Sequence, residues 1–323
     1  MLPTRENCAI LFRGFRATFN EAYNAAPDER DTENLRAEDF IMEVPSTHSS
    51  EDHTWLGQIP AFRKWVGSRV IHSLDIGRIT VTNEPYEATV GVPVPAIEDD
   101  SYGLFSPLFR SMGNAARDLW RALAMKTLLG NAAWADGNRF FCAGRPLADG
   151  TAPWTNAVTT AFGDAALEAG IAALRSAQAG PDQSANVLPR LLIVGPSNAS
   201  KARRILKGEI VASAAGTASE SNPLKGLVDF RVCNDLVGTH AGRWFLLGEV
   251  AGIRAVCVQK RKEPVLVAKN QPTDDNVFLE NEALFGADGR GEAFLTMPFL
   301  GYAGGLASVA DWDESLVPAE PAA

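Results

Sequence analysis

The feature that most constrains this fold is one long helical pattern near the middle of the chain. From residue 106 to about residue 129, apolar side chains recur at three- and four-residue spacing. The pattern begins at Ser106-Pro107, which favours a helix start, and stops at Gly130-Asn131, which favours a helix end. At about 1.5 Å per residue this helix would be about 35 Å long. We therefore predict that the other elements are arranged around it.

Three arginines lie beside the apolar stripe of this helix. Arg110, Arg117 and Arg121 are spaced by seven and by four residues, so they share one neighbouring face. Such a row of charge is commonly a solvated face. The alternative is a contact between subunits with an acidic stretch, for which residues 28–39 are the obvious candidate. Both interpretations stay open at this point.

Before the long helix, the sequence predicts a helix, a polar segment and a hairpin. Residues 6–25 have amphipathic helical spacing, and residues 26–39 are polar and charged, as in an arm or linker. The runs I-T-V-T at 79–82 and A-T-V at 88–90 are typical of strands. They flank the turn-like residues 83–86, N-E-P-Y, so we predict that the two runs form a hairpin.

After the long helix, the pattern predicts an α/β segment followed by strands. A helix is expected over 163–177, a buried strand over 191–194 and a short helix capped by Ser197 and ending at Leu206. The small polar residues 211–223 suggest a mobile loop. Further strands are predicted over residues 227–232, 244–247, 253–259, 265–268 and 277–285.

Composition excludes several classes of protein. The chain has 323 residues, 46% of them hydrophobic and 21% charged, which is typical of a globular protein. No run approaches the roughly 18 apolar residues of a membrane span, and Arg13 interrupts the short apolar run near the start, so no signal peptide is expected. The net charge of −9 argues against a general nucleic-acid binder.

A cluster at residues 44–55, V-P-S-T-H-S-S-E-D-H-T-W, is the strongest candidate for an enzymatic site. It holds two of the four histidines, and His48, Asp52 and His53 could serve a hydrolase. Adjacent residues of one extended segment point to opposite sides, however, and His48 and His53 do not have the spacing of a zinc motif. We favour a surface segment that caps turns and a helix starting near Asp52, with Trp55 buried against a neighbour.

Two glycine-containing stretches resemble nucleotide-binding loops only superficially. Residues 195–201, G-P-S-N-A-S-K, have Ser200 in place of the glycine before the lysine, and Ala202 in place of the hydroxyl that binds Mg²⁺. Residues 286–291, G-A-D-G-R-G, precede no helix, and a dinucleotide fingerprint needs one. We predict a capped connection and a hairpin turn, respectively, and we expect no cofactor and no catalytic or metal site.

The order of features resembles the Hong Kong 97 (HK97-like) phage capsid fold. Local sequence resembles one family more specifically, the Mu-like phage major head subunit (gpT) family. The stretches that carry the resemblance are M-E-V-P-S-T at 42–47, E-D-H-T-W-L-G-Q-I-P at 51–60, R-V-I-H at 69–72, I-E-D-D-S-Y-G at 97–103, S-P-L-F at 106–109, W-F-L-L at 244–247, Q-K-R-K at 259–262 and F-G-A-D-G-R-G at 285–291.

The resemblance implies an α+β capsid subunit with the parts of that fold. Its N-terminal arm would be residues 1–65 and its extended E-loop residues 66–95. The peripheral (P) domain would comprise 96–160, with a spine helix at about 106–130, and the return strands 253–306. The axial (A) domain would be 161–252, and a flexible acidic tail would be 307–323. Residues 68–92 contain no lysine, so we expect no isopeptide cross-link from the E-loop.

The implied function is self-assembly. Copies would form hexamers and pentamers of an icosahedral phage shell that encloses double-stranded DNA without sequence-specific binding. A scaffold or protease and a portal would act in trans, a decoration protein is a further candidate partner, and no membrane is involved. The virion would assemble in the bacterial host cytoplasm. The alternatives are an encapsulin-like compartment and a soluble hydrolase.

We assign assembly contacts to residues of the E-loop, its flanks and the arginine row. The apolar ones, such as Trp55, Trp65, Ile79 and Val81, are expected to be buried between subunits. The complete set is Trp55, Trp65, Arg78, Ile79, Val81, Glu84, Tyr86, Arg110, Arg117 and Arg121.

Overall fold

The computed structural model describes residues 5–26, 32–56, 76–98, 105–145, 154–180, 183–212 and 219–306. The helices are α1 (Arg5–Tyr23), α2 (Ala37–Phe40), α3 (Val94–Glu98), α4 (Ser106–Gly130), α5 (Asp164–Arg175), α6 (Pro196–Lys207) and α7 (Asp275–Glu280). The strands are β1 (Ile41–Pro45), β2 (Ser50–Leu56), β3 (Ile76–Thr82), β4 (Glu84–Pro93), β5 (Gln178–Gly180), β6 (Gln183–Ser184), β7 (Leu188–Val194), β8 (Ile210–Ala212), β9 (Ser219–Ser221), β10 (Asp229–Val232), β11 (Trp244–Val250), β12 (Ile253–Arg254), β13 (Val256–Lys269), β14 (Glu282–Leu295) and β15 (Gly301–Gly304).

The predicted long helix is confirmed as α4, and it joins two hydrophobic cores. Its first half, with Phe109 and Met112, belongs to a core shared with α1 and the sheet β1-β13-β14-β4. Its second half, with Trp120, Leu123 and Leu128, belongs to the larger core around the sheet β10-β7-β11-β12. The helix ends where Asn131 adopts a left-handed conformation, as the Gly130-Asn131 signal predicts.

The first core is centred on three aromatic rings from three elements. Phe15 of α1 stacks on Phe109 of α4 with ring centroids 4.1 Å apart. Phe285 of β14 meets both rings edge-on, at 5.5 and 4.9 Å. Such geometries add to the gain from burial. The predicted amphipathic helix over 6–25 is therefore confirmed, and its apolar stripe packs on α4 and the sheet.

The second core is that of an α/β layer. Strand β7 lies between β10, which runs parallel to it, and β11, which runs antiparallel, while β15 also pairs with β11. Helices α5 and α6 pack against these strands. The predicted helix over 163–177 and the strand over 191–194 are confirmed. Ser197 is not the cap of α6, because Gly195 is the N-cap residue and the Ser197 hydroxyl donates to the carbonyl of Ala241.

The predicted hairpin across residues 79–90 is wrong. Strand β3 pairs with β2, and β4 pairs with β14, so the two runs enter different sheets. The turn-like Asn83 is only 1% exposed and lies at the crossing between the sheets. The helix expected near Asp52 is also wrong, since residues 50–56 are strand β2. Residues 213–218 of the mobile loop expected at 211–223 lie outside the described residues. The whole tail expected at 307–323 also lies outside them.

The glycine stretch at 286–291 is not a turn but the middle of β14. A Cβ on Gly291 would lie 2.4 Å from the carbonyl oxygen of Gln259 and 2.8 Å from the Trp120 ring. Glycine is therefore required for α4 to pack closely over the strand. The strand predicted over 277–285 is wrong in its first part, because residues 275–280 form α7. This helix follows Asp274, whose carboxylate accepts a hydrogen bond from the Gln271 N–H.

Of the helices that the structure describes, none combines the length and the apolar character needed to span a bilayer.

We expect Gly291→Ala to destabilise the subunit by about 1–3 kcal/mol, because the new methyl group must displace Trp120 or the β13 backbone. Gly14→Ala is the control: its Cβ would meet nothing within 4 Å in α1, so a gain of up to about 1 kcal/mol is expected. Urea unfolding of the purified subunits measures both. Equal stability of Gly291→Ala and the parent would contradict the close packing of α4 on β14.

Candidate functional site: the base of a two-stranded ribbon

Strands β2 and β3 form a two-stranded ribbon. They pair from Ser50↔Thr82 at one end to Leu56↔Ile76 at the other, and no further strand of the described residues joins them. The connection between them, residues 57–75, lies outside the described residues. A ribbon of two strands has little core of its own, so its attachment to the rest of the subunit decides where it points.

A buried asparagine attaches the ribbon to the sheet β1-β13-β14-β4. Asn83 lies between β3 and β4, and its N–H donates to the carbonyl of Ser49 at 2.9 Å. Its side-chain Nδ2 donates to the Ser46 hydroxyl and to the His48 carbonyl, both at 2.8 Å. Asn83 thus ties the segment before β2 to the end of β3.

Gln259 of β13 completes the attachment of the ribbon from the side of the four-stranded sheet. It is fully buried, and its Nε2 donates to Asn83 Oδ1 at 2.9 Å and more weakly to the Val81 carbonyl at 3.4 Å. A carbonyl oxygen only accepts hydrogen bonds, so the atom of Asn83 that faces the His48 carbonyl must be Nδ2. Asn83 Oδ1 then faces Gln259, so the Gln259 atom that binds it must be Nε2. The Oε1 of Gln259 must then accept from His53 Nε2, 2.6 Å away, which assigns the proton on that ring nitrogen. We call Ser46, His48, His53, Asn83 and Gln259 the ribbon joint.

Apolar contacts surround the ribbon joint. Val81 packs with Cys257 and Phe294, all under 7% exposed, and Ile79 packs against the same cluster. The His53 ring stacks on Phe294 with centroids 4.4 Å apart. The amides of Asn83 and Gln259 are therefore shielded from water, and leaving one of them unpaired there costs about 1–3 kcal/mol.

Glu51 shapes the loop that enters the ribbon. Its carboxylate accepts from the N–H groups of Thr47 and His48, at 2.9 and 3.1 Å, and from the Ser46 hydroxyl. Donation from the Thr47 N–H, then from the His48 N–H, lowers the pKa of Glu51 to about 2. Glu51, one of the two acidic residues in the cluster at 44–55, thus holds the backbone in place.

The three side chains of the hydrolase hypothesis do not converge. His53 is bound to Gln259, and Asp52 accepts from the Thr80 hydroxyl at 2.7 Å across the ribbon. His48 is mostly exposed, with its Nδ1 3.3 Å from Glu51. Within the described residues, no three His, Cys, Asp or Glu side chains are grouped as a metal site. The histidine cluster thus has the structural role that the sequence interpretation favoured, and burial of Trp55 against a neighbour stays a prediction.

The predicted contact residues fall into several environments. Trp55 and Arg78 lie on the ribbon strands, opposite Gly77 and Thr54, and Trp65 lies outside the described residues. Val81, which was expected between subunits, is 5% exposed and is buried by its own chain in the ribbon joint cluster.

Two further residues that were predicted as assembly contacts, Glu84 and Tyr86, lie on β4. Glu84 is exposed at the start of the strand, and the Tyr86 hydroxyl donates to Glu292 at 2.9 Å.

The arginine row of α4 makes contacts within its own subunit. Arg110 lies 3.8 Å from Glu21 of α1, and Arg117 donates to the Ala25 carbonyl at 3.1 Å. Arg121 binds Asp118 and also Asp235, at 2.6 Å, and these bonds raise the pKa of the guanidinium further above its ordinary value. The row borders a groove of about 820 Å³ that residues 34–38 line on the other side. All of these contacts lie within one subunit, so a contact of the row with residues 28–39 of another subunit stays a prediction.

The two central residues of the joint, Asn83 and Gln259, were not among the residues predicted from the sequence. Gln259 directly follows the apolar run V-C-V at 256–258, and a polar residue within a predicted buried strand is a usable signal. Asn83 gave no such signal, because asparagine beside Glu84-Pro85 equally fits an exposed turn. Only the tertiary pairing separates these two possibilities.

Comparisons with known proteins agree with one another. The sequence profile described as "Mu-like prophage major head subunit gpT" matches residues 8–166, 154–236 and 226–305. The major capsid protein of Escherichia phage Mu is 24% identical over 292 residues, which are 90% of this chain and 70% of that protein. The Mu-like prophage FluMu major head subunit of Haemophilus influenzae is 30% identical over 146 residues, 44% of this chain and 45% of that protein.

A solved capsid has the same fold. The procapsid of bacteriophage JBD30 superimposes with a TM-score of 0.54 at 22% identity, over 93% of this chain and 75% of that chain. The fold is therefore the mixed α/β HK97-like capsid fold that the sequence resemblance implied. Because the family profile extends over nearly the whole chain, the resemblance to this family is confirmed, and a structural role in the virion takes the place of an enzymatic one. The chain belongs to the Mu-like prophage major head subunit gpT family, as a major capsid protein of the phage head shell.

Proposed function

We propose that copies of this chain form the hexamers and pentamers of an icosahedral head, and that each ribbon lies against a neighbouring copy. The observation that carries the proposal is a ribbon without a core, fixed to its own subunit by a buried polar joint. A free ribbon would be marginal in water. A ribbon that is already held in one direction loses less conformational entropy when it binds a neighbour, and this preorganisation favours binding.

We further propose that the E-loop comprises residues 50–82, where the family resemblance implied 66–95. Trp55 and Arg78 lie on its strands and Trp65 in the connection between them, so these remain our proposed contacts with the neighbour. Ile79 and Val81 face their own subunit instead. This boundary also includes Lys64, so the lack of lysine in 68–92 is no longer an argument against an isopeptide cross-link.

The charge distribution fits a shell that encloses double-stranded DNA without gripping it. The net charge is −9, and Arg110, Arg117 and Arg121 are each engaged by acceptors of their own chain. Arginines held in this way contribute less to phosphate binding than free ones would. A scaffold or protease and a portal acting in trans, and a decoration protein, complete the proposed set of partners.

We expect Asn83→Ala to prevent shell formation while leaving the subunit folded. The change removes two donated bonds and takes from Gln259 Nε2 its shorter acceptor, Asn83 Oδ1, which costs about 1–3 kcal/mol and loosens the ribbon from the sheet. Electron microscopy and sedimentation measure assembly, and circular dichroism checks the fold.

Asn222→Ala is the matched control for this variant. Asn222 is also buried and also donates twice, to the carbonyls of Ile205 and Gly208, but it lies far from the ribbon in the chain and packs with α6. Both variants should lose comparable stability, and only Asn83→Ala should lose shells. If the two assembled equally well, the ribbon joint would have no special role in assembly.

A second variant removes the far end of the ribbon and keeps its base. Replacing residues 57–75 by Asn-Gly would close the pair Leu56↔Ile76 with a two-residue turn. We expect a soluble, folded subunit that forms no shells, because Trp65 and the connection are gone. Shells of normal size and yield would refute the assignment of the ribbon as the contact between subunits.

A further inference from the structure

Helix α7 presents two large apolar side chains to solvent. It connects β13 to β14 at one end of the four-stranded sheet, and Phe278 and Leu279 on it are 80% and 76% exposed. These are the highest exposures among the large apolar side chains of the described residues. Neighbouring exposed residues of this size are a recognised sign of an interaction surface.

The backbone beneath this apolar pair is firmly held. Asn276 is buried, and its Nδ2 donates to the carbonyls of Lys269 and Glu282, at 2.9 and 2.6 Å, which clamps the ends of β13 and β14 together. Asp274 accepts from the Gln271 N–H at the helix start, and Asn281 ends the helix in a left-handed conformation. The pair therefore sits on an ordered platform rather than on a loose loop.

A second exposed apolar pair lies on the outer face of β13. Val265 and Val267 are 40% and 51% exposed, while Leu266 between them points into the core at 2%. Alternation along the strand puts Val265, Val267 and Lys269 on the same face, turned away from α1 and α4. Lys262 reaches this face as well, where it pairs with Asp288, the residue opposite Val265.

Acidic residues flank the apolar pair of α7, whereas the β13 face carries Lys262 and Lys269 together with Asp288 and, opposite Asp288 on β4, the exposed Glu87. Exposed Asp275 and Glu280 lie at the two ends of α7, and exposed Lys269 lies beside Val267. Two copies of α7 brought together would oppose like charges, whereas α7 against the β13 face places carboxylates near lysine.

We propose that α7 of one subunit docks on the outer β13 face of a second copy of this chain, with Phe278 and Leu279 against Val265 and Val267. The inference rests on the proposed shell. The two side chains offer only a few hundred Å², well below the roughly 1,200 Å² that a stable two-protein complex buries. A separate partner would gain too little from such a contact, but a shell sums many weak contacts between identical copies.

Substitution of the apolar pair tests the proposal. The double variant Phe278→Ser with Leu279→Ser should keep its fold, because both side chains are exposed, and should give fewer shells that dissociate at lower urea than those of the parent. Glu280→Lys should weaken the shells, and adding Lys269→Glu should restore them. Shells of parental yield and urea resistance from the double serine variant would overturn the proposed contact, as would failure of the second charge reversal to rescue the first.

Cross-linking between separately made subunits tests the geometry. A mixture of a Phe278→Cys protein with a Val267→Cys protein, co-assembled and mildly oxidised, should give disulfide-linked dimers. Phe278→Cys mixed with Val237→Cys, an exposed residue of another region, is the control. A yield no higher than in the control mixture would refute the contact.

The same experiments separate this inference from the proposed function. If the parent forms no shells, the proposed function fails, and the contact fails with it. If the parent forms shells and the variants form them equally well, only the contact fails.

Discussion

The pairing of Asn83 with Gln259 is the contact on which the arrangement of this subunit for assembly depends. It lies where the chain leaves the ribbon and enters the four-stranded sheet, and both amides are almost completely buried. The nitrogen of each side-chain amide donates to a backbone carbonyl, so only one orientation of each amide makes all of the hydrogen bonds. The direction of the ribbon is thereby fixed before any neighbour is met.

The rest of the fold supports this joint. The aromatic contact of Phe15, Phe109 and Phe285 holds α1 and α4 against the sheet that contains Gln259. Gly291 of β14 pairs with Lys260 of β13, and its lack of a side chain lets Trp120 pack against these two strands. Helix α4 extends from this core into the α/β layer, so the sheet that carries the ribbon and the layer beyond it share one helix.

The sequence predicted elements whose patterns are local, and failed where tertiary contacts decide. Helix α4 follows from its periodicity and its end signals, and the strand over 191–194 from its apolar run. The hairpin at 79–90 failed because a buried Asn83 and an exposed turn asparagine look alike in sequence. The glycines at 286–291 were interpreted as a turn because the neighbours that crowd them, such as Trp120 against Gly291, lie far away in the chain. The histidines near residue 50 were placed correctly as structural, but their buried partner Gln259 was not foreseen.

Electron cryomicroscopy of the purified, assembled protein tests the central claim most directly, because it shows where each ribbon lies. We expect closed shells in which residues 50–82 of every subunit contact an adjacent copy while Asn83 stays bound to Gln259 of its own chain. Closed shells whose ribbons touch no neighbour, or ribbons detached from their own sheet, would contradict this claim.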